Sequence, residues 1–483
     1  MWKDNDIHAL NSSSETLLHV AATNGHLTIL EDLINKGGKA DVKDKKGRTA
    51  LDRAAEKGHA LKDESGLARM LLKAGASTDG KGERGQTALS YAVSQGFENT
   101  TGVLLEAKAS TDSNLAERAF NSNHPSIFKI LLEHSKDLSP DVTEPALFRA
   151  VQKNLPAVVA ALLDRGADIN ACNERQYTPL LLACETGKAE SAEVLMEEGA
   201  NLGIKTPSSD TALHLAVQAG AASIANLLLC KGMGLNFVNQ ADETPLHVAA
   251  LHNKGALVGL FVNAGAKINA VTKEFVTPLH IASQRGNTDA AQQLLHHKAH
   301  VNVKDAQSKP PLHLAAERGD KTMVEMVLNA KADPNTKDKE KKTPLHAAAA
   351  REHLRILLAN NGRFGAKDMD RCTPMHYANA KGNSEIVKFL LVAGKNKNID
   401  DRNTWRKTAL HIAAEYGHSE LINLLLSRGA AINASDSSRD TLWQRACEAS
   451  HLNTVNSLMN WVQGEKANLL AAKSQEDPTA SRI

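Results

Sequence analysis

Apolar residues along this chain recur in short stripes at helical spacing, and polar turns separate the stripes. In the segment TPLHVAALHNKGALVGLFVNAGAKIN, Thr244 suits the N-cap of a helix and Pro245 suits its first position, where a missing N–H costs little. The first stripe ends near Asn253, and a second stripe runs on to Gly265, a residue type that ends helices in the left-handed conformation. The segment therefore predicts two short helices joined by a turn and followed by a polar loop.

This two-helix pattern repeats along the chain. From Thr178 to Thr343 its starts lie 33 residues apart, and two weaker starts fit near Asn114 and Pro145, which gives about fourteen units. Each helix pair is too short to bury its apolar face alone, so stability must come from stacking. The clear starts are Thr16, Thr49, Thr87, Thr178, Thr211, Thr244, Thr277, Pro310, Thr343, Thr373, Thr408 and Thr441.

Several strings within these units carry a family resemblance: GADINA at 166–171, TPLHVAA at 244–250, TPLHIAS at 277–283 and TALHIAAEYGH at 408–418. They resemble the ankyrin-repeat family, and the resemblance covers residues 14 to about 463. It implies an all-α fold, a solenoid of about fourteen helix-turn-helix units with projecting β-turn fingers and a curved groove between fingers and helices.

Some repeats depart from the regular step. From Thr49 to Thr87 the step is 38 residues, because ALKDESGLARMLL lengthens the turn between two helices. From Thr343 the step is 30, since EHLRILLANNG lacks most of one helical turn, and from Thr373 it is 35, with the longer finger DDRNTWRK. We expect irregular repeats to be local weak points.

These departures predict a division of the chain. Residues 1–111 form an N-terminal block of repeats 1–3, and 145–463 form the main block of repeats 5–14. Between them, 112–144 is a degenerate repeat and a weak joint, since its helix start is uncapped and the finger SPDVTE has no glycine turn. Residues 464–483 form a polar C-terminal tail. The first repeat has no polar capping repeat before it, which indicates either a fragment or cover by residues 1–13.

Composition and motifs narrow the function classes. A net charge of +2 gives no general affinity for nucleic acid, and no run of eighteen apolar residues exists for membrane insertion. Five cysteines without a CxxC pair favour a reducing cytosolic or nuclear compartment over secretion, and we expect a cytoplasmic location. Phosphate-binding, zinc-protease and serine-hydrolase strings are absent, so we expect neither an enzyme nor a cofactor.

Histidines are numerous, and eight occupy the fourth position of the repeat motif. We interpret these as structural, each imidazole bonding the capping threonine or nearby backbone. His296, His297 and His300 are a metal-site alternative, but adjacent positions point to different helix faces, so a solvated turn is favoured and no metal is expected. The eight are His19, His214, His247, His280, His313, His346, His376 and His411.

Binding in this family falls on the finger tips and the exposed faces of the first helices. Large residues that the repeat does not require stand out there, with Phe275 and Trp405 the strongest candidates because aromatic and Arg side chains dominate interfaces. The alternative is that each covers a neighbouring finger. The partner-binding candidates are Tyr177, Leu251, Phe275, Arg285, Arg318, Met369, Trp405 and Tyr416.

Lysines cluster in the fingers VKDAQSKPP and TKDKEKKTP. They are either solvated turn tips interleaved with acidic residues or a basic ledge that meets an acidic partner. Nucleic acid is disfavoured because no aromatic residues interleave with them. The basic ledge consists of Lys304, Lys309, Lys337, Lys339, Lys341 and Lys342.

The family resemblance also implies a modification. Ankyrin asparagines preceded by Leu and Asp at set positions are substrates of an iron- and oxoglutarate-dependent asparaginyl hydroxylase, and Leu162, Asp168, Ile169 and Asn170 match that pattern. Asn170 is therefore a candidate hydroxylation site. The alternative, that its amide only bonds the turn backbone, is favoured.

Function follows from the resemblance as an expectation. Ankyrin arrays of this length are similar to the interaction half of cytosolic signalling adaptors, including CARD- and ankyrin-containing inflammasome adaptors. This implies a scaffold that binds proteins on its concave face, with an inflammatory caspase or inflammasome adaptor as a partner class. A host-directed effector or a membrane-skeleton linker would use the same groove.

Overall fold

The computed structural model describes residues 7–57, 64–135, 139–349, 351 and 353–476. Their regular secondary structure is helical, with 28 helices and one isolated antiparallel bridge between Ser435 and Thr441. Two compact units divide the chain, Met1–Met233 and Gly234–Ile483. The all-α fold of paired helices predicted from the repeat is confirmed.

The first unit contains fourteen helices, arranged as seven consecutive pairs. They are α1 (Leu17–Asn24), α2 (Leu27–Asn35), α3 (Ala50–Lys57), α4 (Glu64–Lys73), α5 (Ala88–Gln95), α6 (Glu98–Glu106), α7 (Ser113–Asn121), α8 (Pro125–His134), α9 (Pro140–Gln152), α10 (Pro156–Asp164), α11 (Pro179–Thr186), α12 (Ala189–Glu197), α13 (Ala212–Ala219) and α14 (Ala222–Cys230).

The second unit contains the other fourteen helices among the described residues. They are α15 (Pro245–Leu251), α16 (Gly255–Asn263), α17 (Pro278–Arg285), α18 (Thr288–His296), α19 (Pro311–Arg318), α20 (Lys321–Asn329), α21 (Pro344–Ala348), α22 (Leu354–Ala359), α23 (Pro374–Lys381), α24 (Ser384–Gly394), α25 (Ala409–Glu415), α26 (Ser419–Ser427), α27 (Leu442–Glu448) and α28 (Leu452–Glu476).

Local sequence accounts for where the first helices begin and end. Thr277 caps α17, its hydroxyl accepting the N–H of His280, and Pro278 occupies the first helical position. The helix ends at Gly286, whose φ of +72° is in the left-handed region. Most other first helices begin on a threonine in extended conformation in the same way.

Packing repeats with the same period. Within each unit, first helices pack on the first helices of neighbouring repeats, as α15 does on α17 and α17 on α19, and second helices pack likewise. Leu279 and Ala282 of α17 are fully buried, and the small alanine lets neighbouring helices approach closely. Burial of this kind, multiplied along each stack, replaces the single core of a globular domain.

The degenerate repeat differs from its prediction in two respects. Its first helix, α7, is capped after all, because the carboxylate of Asp112 accepts the N–H of Leu115 at 2.8 Å. The predicted finger SPDVTE is helical instead, since α9 begins at Pro140 and continues through Pro145. Proline at the first position needs no N–H partner, which permits that early start. Residues 136–138 lie outside the described part of the chain.

The helices of the other irregular repeats also differ in length from the regular ones. The lengthened turn predicted between the helices of repeat 2 falls largely on residues 58–63, outside the described residues. In the shortened repeat, α21 has only 5 residues and α22 only 6. At the C-terminal end, α28 continues to Glu476, so the segment predicted as a polar tail from 464 begins within a helix.

Candidate partner-binding surface

Each finger of the second unit is a tight turn held by a polar side chain at its base. In the finger at 338–342, the Asp338 carboxylate accepts the N–H groups of Glu340 and Lys342, both at 2.9 Å. The N–H of Asp338 donates to the carbonyl of Lys342, also at 2.9 Å, which closes the turn. Asp338 is buried, so this aspartate serves the turn and leaves the lysines around it exposed.

Neighbouring fingers in the second unit are joined through their backbones. At each junction an N–H near one finger tip donates to a carbonyl at the tip of the preceding finger. The bonds are Ala306 to Glu274 at 2.8 Å, Lys339 to Gln307 at 3.0 Å, Met369 to Glu340 at 2.9 Å, Thr404 to Asp370 at 2.8 Å and Ser437 to Trp405 at 2.9 Å. This finger row, residues 272–440, therefore holds its tips in a fixed register.

Three of the predicted partner-binding residues are exposed on the finger row. Phe275 is 57% exposed, Met369 62% and Trp405 49%. Phe275 also occupies the left-handed region, with φ of +57°, where a bulky side chain costs backbone energy. Ser308 and Lys341 adopt the same conformation at this position of the next two fingers, so Phe275 differs from them by its exposed apolar ring. A surface residue of this kind is a candidate for binding.

Four other candidates lie at the ends of first helices in the second unit. Leu251 is half-buried at the end of α15, and Arg285 is exposed at the end of α17. Arg318 already makes an intramolecular contact, because its guanidinium donates to the carbonyl of Gln284 at 3.4 Å. Tyr416, 56% exposed, stacks on His418 with an interplanar angle of 6°.

Tyr177 lies in the first unit, half-buried before α11. The Arg175 guanidinium carbon lies 4.3 Å from its ring centroid, and Arg175 also pairs with Glu185 through two hydrogen bonds of 2.9 and 3.2 Å. Tyr177 therefore belongs to a local stacked cluster and not to the finger row of the second unit.

Sequence reasoning missed three exposed apolar residues at the start of the second unit. Phe237, Val238 and Val271 are 49%, 41% and 46% exposed. Val238 and Val271 each precede the first residue of a finger turn, so they hold equivalent positions in successive repeats. The signal available in the sequence was an apolar residue at a loop position that neighbouring repeats fill with lysine, as at Lys304 and Lys337.

The basic ledge is only partly neutralised. Lys309 pairs with Glu317 at 2.6 Å, and Lys342 pairs with Glu340 at 2.5 Å, which raises the pKa of that lysine. The Lys342 ammonium also lies 5.5 Å from the ring centroid of Tyr377. The remaining four side chains are exposed; they are Lys304, Lys337, Lys339 and Lys341.

The repeated histidines take the structural role predicted for them. In His280, Nδ1 lies 2.7 Å from the hydroxyl of Thr277 and Nε2 lies 2.9 Å from the carbonyl of Lys309. Where Pro310 replaces threonine, Nδ1 of His313 is buried without a hydrogen-bond partner in the described chain. Burial lowers the pKa of five of these imidazoles, His280, His313, His346, His376 and His411.

Among the described residues, no group of three metal-binding side chains is placed to hold an ion. The ring centroids of His296 and His297 are 5.2 Å apart and nearly perpendicular, at 83°. No helix in the described part of the chain is long and apolar enough to cross a bilayer.

Asn170 makes the backbone bond that was the favoured interpretation. Its Oδ1 accepts the N–H of Asn201 in the following repeat at 2.9 Å, and its own N–H donates to Asp168 at 2.9 Å. Asn170 is nevertheless on the surface, so hydroxylation stays a prediction.

Comparison with known proteins gives one family. The family described as "Ankyrin repeats (3 copies)" matches residues 1–79, 18–115, 147–239, 213–305, 312–403 and 379–469. The degenerate repeat lies mostly in the unmatched interval between the second and third ranges.

Individual relatives cover less of the chain. Two rice proteins named Protein LHCP TRANSLOCATION DEFECT, from Oryza sativa subsp. indica and subsp. japonica, are 51% identical over 51 residues. That match is 11% of this chain and 27% of each rice protein, so the chain spans about a quarter of their length. The crystal structure of the human ASB11 ankyrin repeat domain aligns at 23% identity and a TM-score of 0.42, over 45% of this chain and 98% of that chain.

Proposed function

Because this chain belongs to the ankyrin repeat family, whose repeats generally mediate protein–protein interaction, we propose that it is an interaction scaffold and not an enzyme. The second unit holds its partner along the finger row. Phe275 carries this proposal, since it places a 57% exposed aromatic ring at a finger position that the next two fingers fill with the polar residues Ser308 and Lys341.

The partner surface of the second unit has two parts. Phe275, Met369 and Trp405 supply apolar contacts from fingers whose register is fixed by the backbone bonds between them. The ends of the first helices add Leu251, Arg285, Arg318 and Tyr416. Exposed aromatic and Arg side chains on a rigid frame bind at low entropic cost. Tyr177 belongs to a separate contact on the first unit.

The positive charge of the basic ledge indicates the charge of the partner surface that it would bind. Lys304, Lys337, Lys339 and Lys341 are exposed, whereas Asp338 beside them is buried in its turn. The exposed charged side chains of the ledge are therefore mostly lysines, with Glu340 paired to Lys342. An acidic protein surface is its complement, and charges at the rim mainly raise the association rate.

We place this scaffold among cytoplasmic signalling adaptors, with an inflammatory caspase or an inflammasome adaptor as the partner class. The length of the array and the five free cysteines support that setting. The alternative is a host-directed effector or a membrane-skeleton linker, which would use the same finger row on other proteins.

Affinity capture with the full chain tests this proposal. The wild-type chain is compared with a Phe275→Gly and Trp405→Ala double variant, and bound proteins are identified by mass spectrometry. We expect one protein, or one family, to bind the wild-type chain saturably and to be depleted about tenfold or more on the variant. Equal capture by both chains contradicts binding through the finger row, and turnover of a substrate without any partner contradicts the scaffold itself.

A further inference from the structure

In the second unit, the turns that follow three successive second helices enclose a cleft of about 700 Å³. Asn335 and Lys337 line it after α20, residues 361–367 line it after α22, and Ala393 and Asn398 line it at the end of α24. This loop cleft lies at the shortened repeat, where α22 has only 6 residues.

One side chain that bridges several other turns is missing at the cleft. Between other consecutive turns an asparagine amide fills this space and accepts an N–H from the next repeat, as Asn302 does from Asp333 at 2.9 Å and Asn335 from Arg363 at 2.8 Å. In the next repeat the equivalent position is Gly365, three residues before the finger aspartate as Asn335 is. Glycine has no amide to make that bond, and the amide of Asn398 in the following turn lies 3.0 to 3.3 Å from where a Cβ of Gly365 would stand.

The charge of the loop cleft is positive. Lys337, Arg363 and Lys367 line it, and no carboxylate does among the described residues. Two acidic groups that lie close to the lining in sequence are already engaged. The carboxylate of Asp368 accepts the Tyr377 hydroxyl at 2.6 Å, and that of Asp401 accepts the Asn398 amide at 2.7 Å.

Lys337 makes the cleft continuous with the basic ledge, to which it also belongs. The cleft has an apolar wall as well, formed by Leu358, Phe364, Ala366 and Ala393. A polyphosphate would meet the cations but leave that wall without a partner. An acidic peptide supplies both carboxylates and an apolar side chain, and so matches the whole lining.

We propose that the loop cleft docks an acidic segment of the partner protein, with one apolar side chain against Phe364 and carboxylates facing Arg363 and Lys367. This inference rests on the proposed scaffold function and assigns the chemistry of the partner segment. The finger row and the loop cleft then form two distinct contacts on the same unit.

Fluorescence anisotropy with the full chain tests the charge requirement. The probe is a fluorescein-labelled peptide with Leu-Phe flanked on each side by three acidic residues. We expect saturable binding that weakens as ionic strength rises, because the contacts are exposed and screened. Arg363→Glu weakens binding about fivefold or more, since one attraction becomes a repulsion.

Lys267→Glu is the matched control. Lys267 occupies the same loop position in an earlier repeat, and its N–H donates the equivalent bond to Oδ1 of Asn236 at 3.2 Å. We expect the Lys267→Glu variant to change peptide affinity by less than about twofold. Equal loss with Lys267→Glu, or no loss with Arg363→Glu, overturns the cleft as the docking site.

Gly365→Asn tests the shape of the cleft without changing its charge. An added Cβ at Gly365 would come within 3.0 to 3.3 Å of the Asn398 amide, which must then shift from its bond to Asp401. The thermal midpoint shows whether the variant folds normally, and from the side chain added at the cleft we expect about fivefold weaker peptide binding. Unchanged binding to a normally folded variant overturns the proposal.

Two further probes separate the alternatives. If the peptide binds equally well with Leu-Phe replaced by Ser-Ser, or if tripolyphosphate displaces it and requires Arg363, the cleft takes a polyanion and the proposal is wrong. Affinity capture then distinguishes the two proposals. If a protein is lost on the Phe275→Gly and Trp405→Ala double variant but still binds Arg363→Glu and Gly365→Asn, this inference is wrong and the scaffold function stands. Absence of any captured protein refutes the scaffold function instead.

Discussion

Nε2 of His280 lies 2.9 Å from the carbonyl oxygen of Lys309, in the finger of the following repeat. On the other side of the ring, Nδ1 accepts the backbone N–H of Thr277 at 3.1 Å, which fixes the neutral tautomer with its proton on Nε2. The imidazole thus joins a helix cap to the next finger. A second proton, on Nδ1, would face the Thr277 N–H and break the cap.

We expect the fold to lose stability in mild acid. Burial lowers the folded-state pKa of His280, His313, His346, His376 and His411 below the ordinary value of 6.5. In the unfolded chain these imidazoles keep the ordinary pKa, so they bind protons at a higher pH than they do in the folded chain. The free energy of unfolding is therefore highest above about pH 6.5 and falls as the pH drops toward the folded-state pKa values. Thermal midpoints at pH 7.5 and 5.5 measure the loss.

A His280→Gln variant isolates one histidine. Gln444 shows that glutamine can complete the same cap, since its Oε1 accepts the N–H of Thr441 at 2.7 Å. We expect lower stability at pH 7.5, by about 1 kcal/mol for the lost bond to Lys309, and a smaller drop on acidification. His296→Gln, at a solvated helix end, is the control, and an unchanged pH slope in His280→Gln would contradict the assignment.

Position 286 requires glycine both for its backbone conformation and because of a neighbouring side chain. Its φ is +72°, and an added Cβ would come within 2.5 Å of the Arg318 guanidinium Nε. We expect Gly286→Ala to lower the free energy of unfolding by about 1–2 kcal/mol. Gly259→Ala, within α16, meets only ordinary contacts and should be neutral or stabilising. Urea unfolding of both variants measures the difference, and equal effects would refute the argument.

Phe275 should be dispensable for folding. Glycine adopts a φ of +57° freely, so Phe275→Gly removes about 1–2 kcal/mol of backbone cost and adds about 0.5–1 kcal/mol of unfolded-state entropy. We expect an unchanged or slightly higher thermal midpoint together with weaker partner capture. A lower midpoint would instead show that the ring supports neighbouring fingers.

Asn170 is the residue to examine for hydroxylation. It is on the surface, and its backbone N–H is already held by Asp168 within the loop. After incubation with an iron- and oxoglutarate-dependent asparaginyl hydroxylase, we expect one added oxygen at Asn170 by peptide mass spectrometry. Asn302, which lacks the preceding aspartate, serves as the control. An unmodified Asn170 peptide removes the assignment.

Sequence alone determined the features that depend on neighbours a few residues away. Thr277, Pro278 and Gly286 define one helix through capping, a preset φ and a left-handed end, and all three effects act within a single turn. These local signals recur at a fixed period. The helix pairs, the structural role of the histidines and the exposed Phe275 could therefore all be predicted from the sequence.

Tertiary structure decided what depends on contacts between repeats. Aspartate is a preferred N-cap residue, so the cap at Asp112 was available in the sequence, whereas the helical start at Pro140 replaced a predicted finger. The loop cleft lies where Gly365 lacks the bridging amide that Asn335 supplies one repeat earlier. Local patterns specify each turn, but the space between two turns is set by how the repeats stack, so Arg363 and Lys367 acquired a candidate role only in three dimensions.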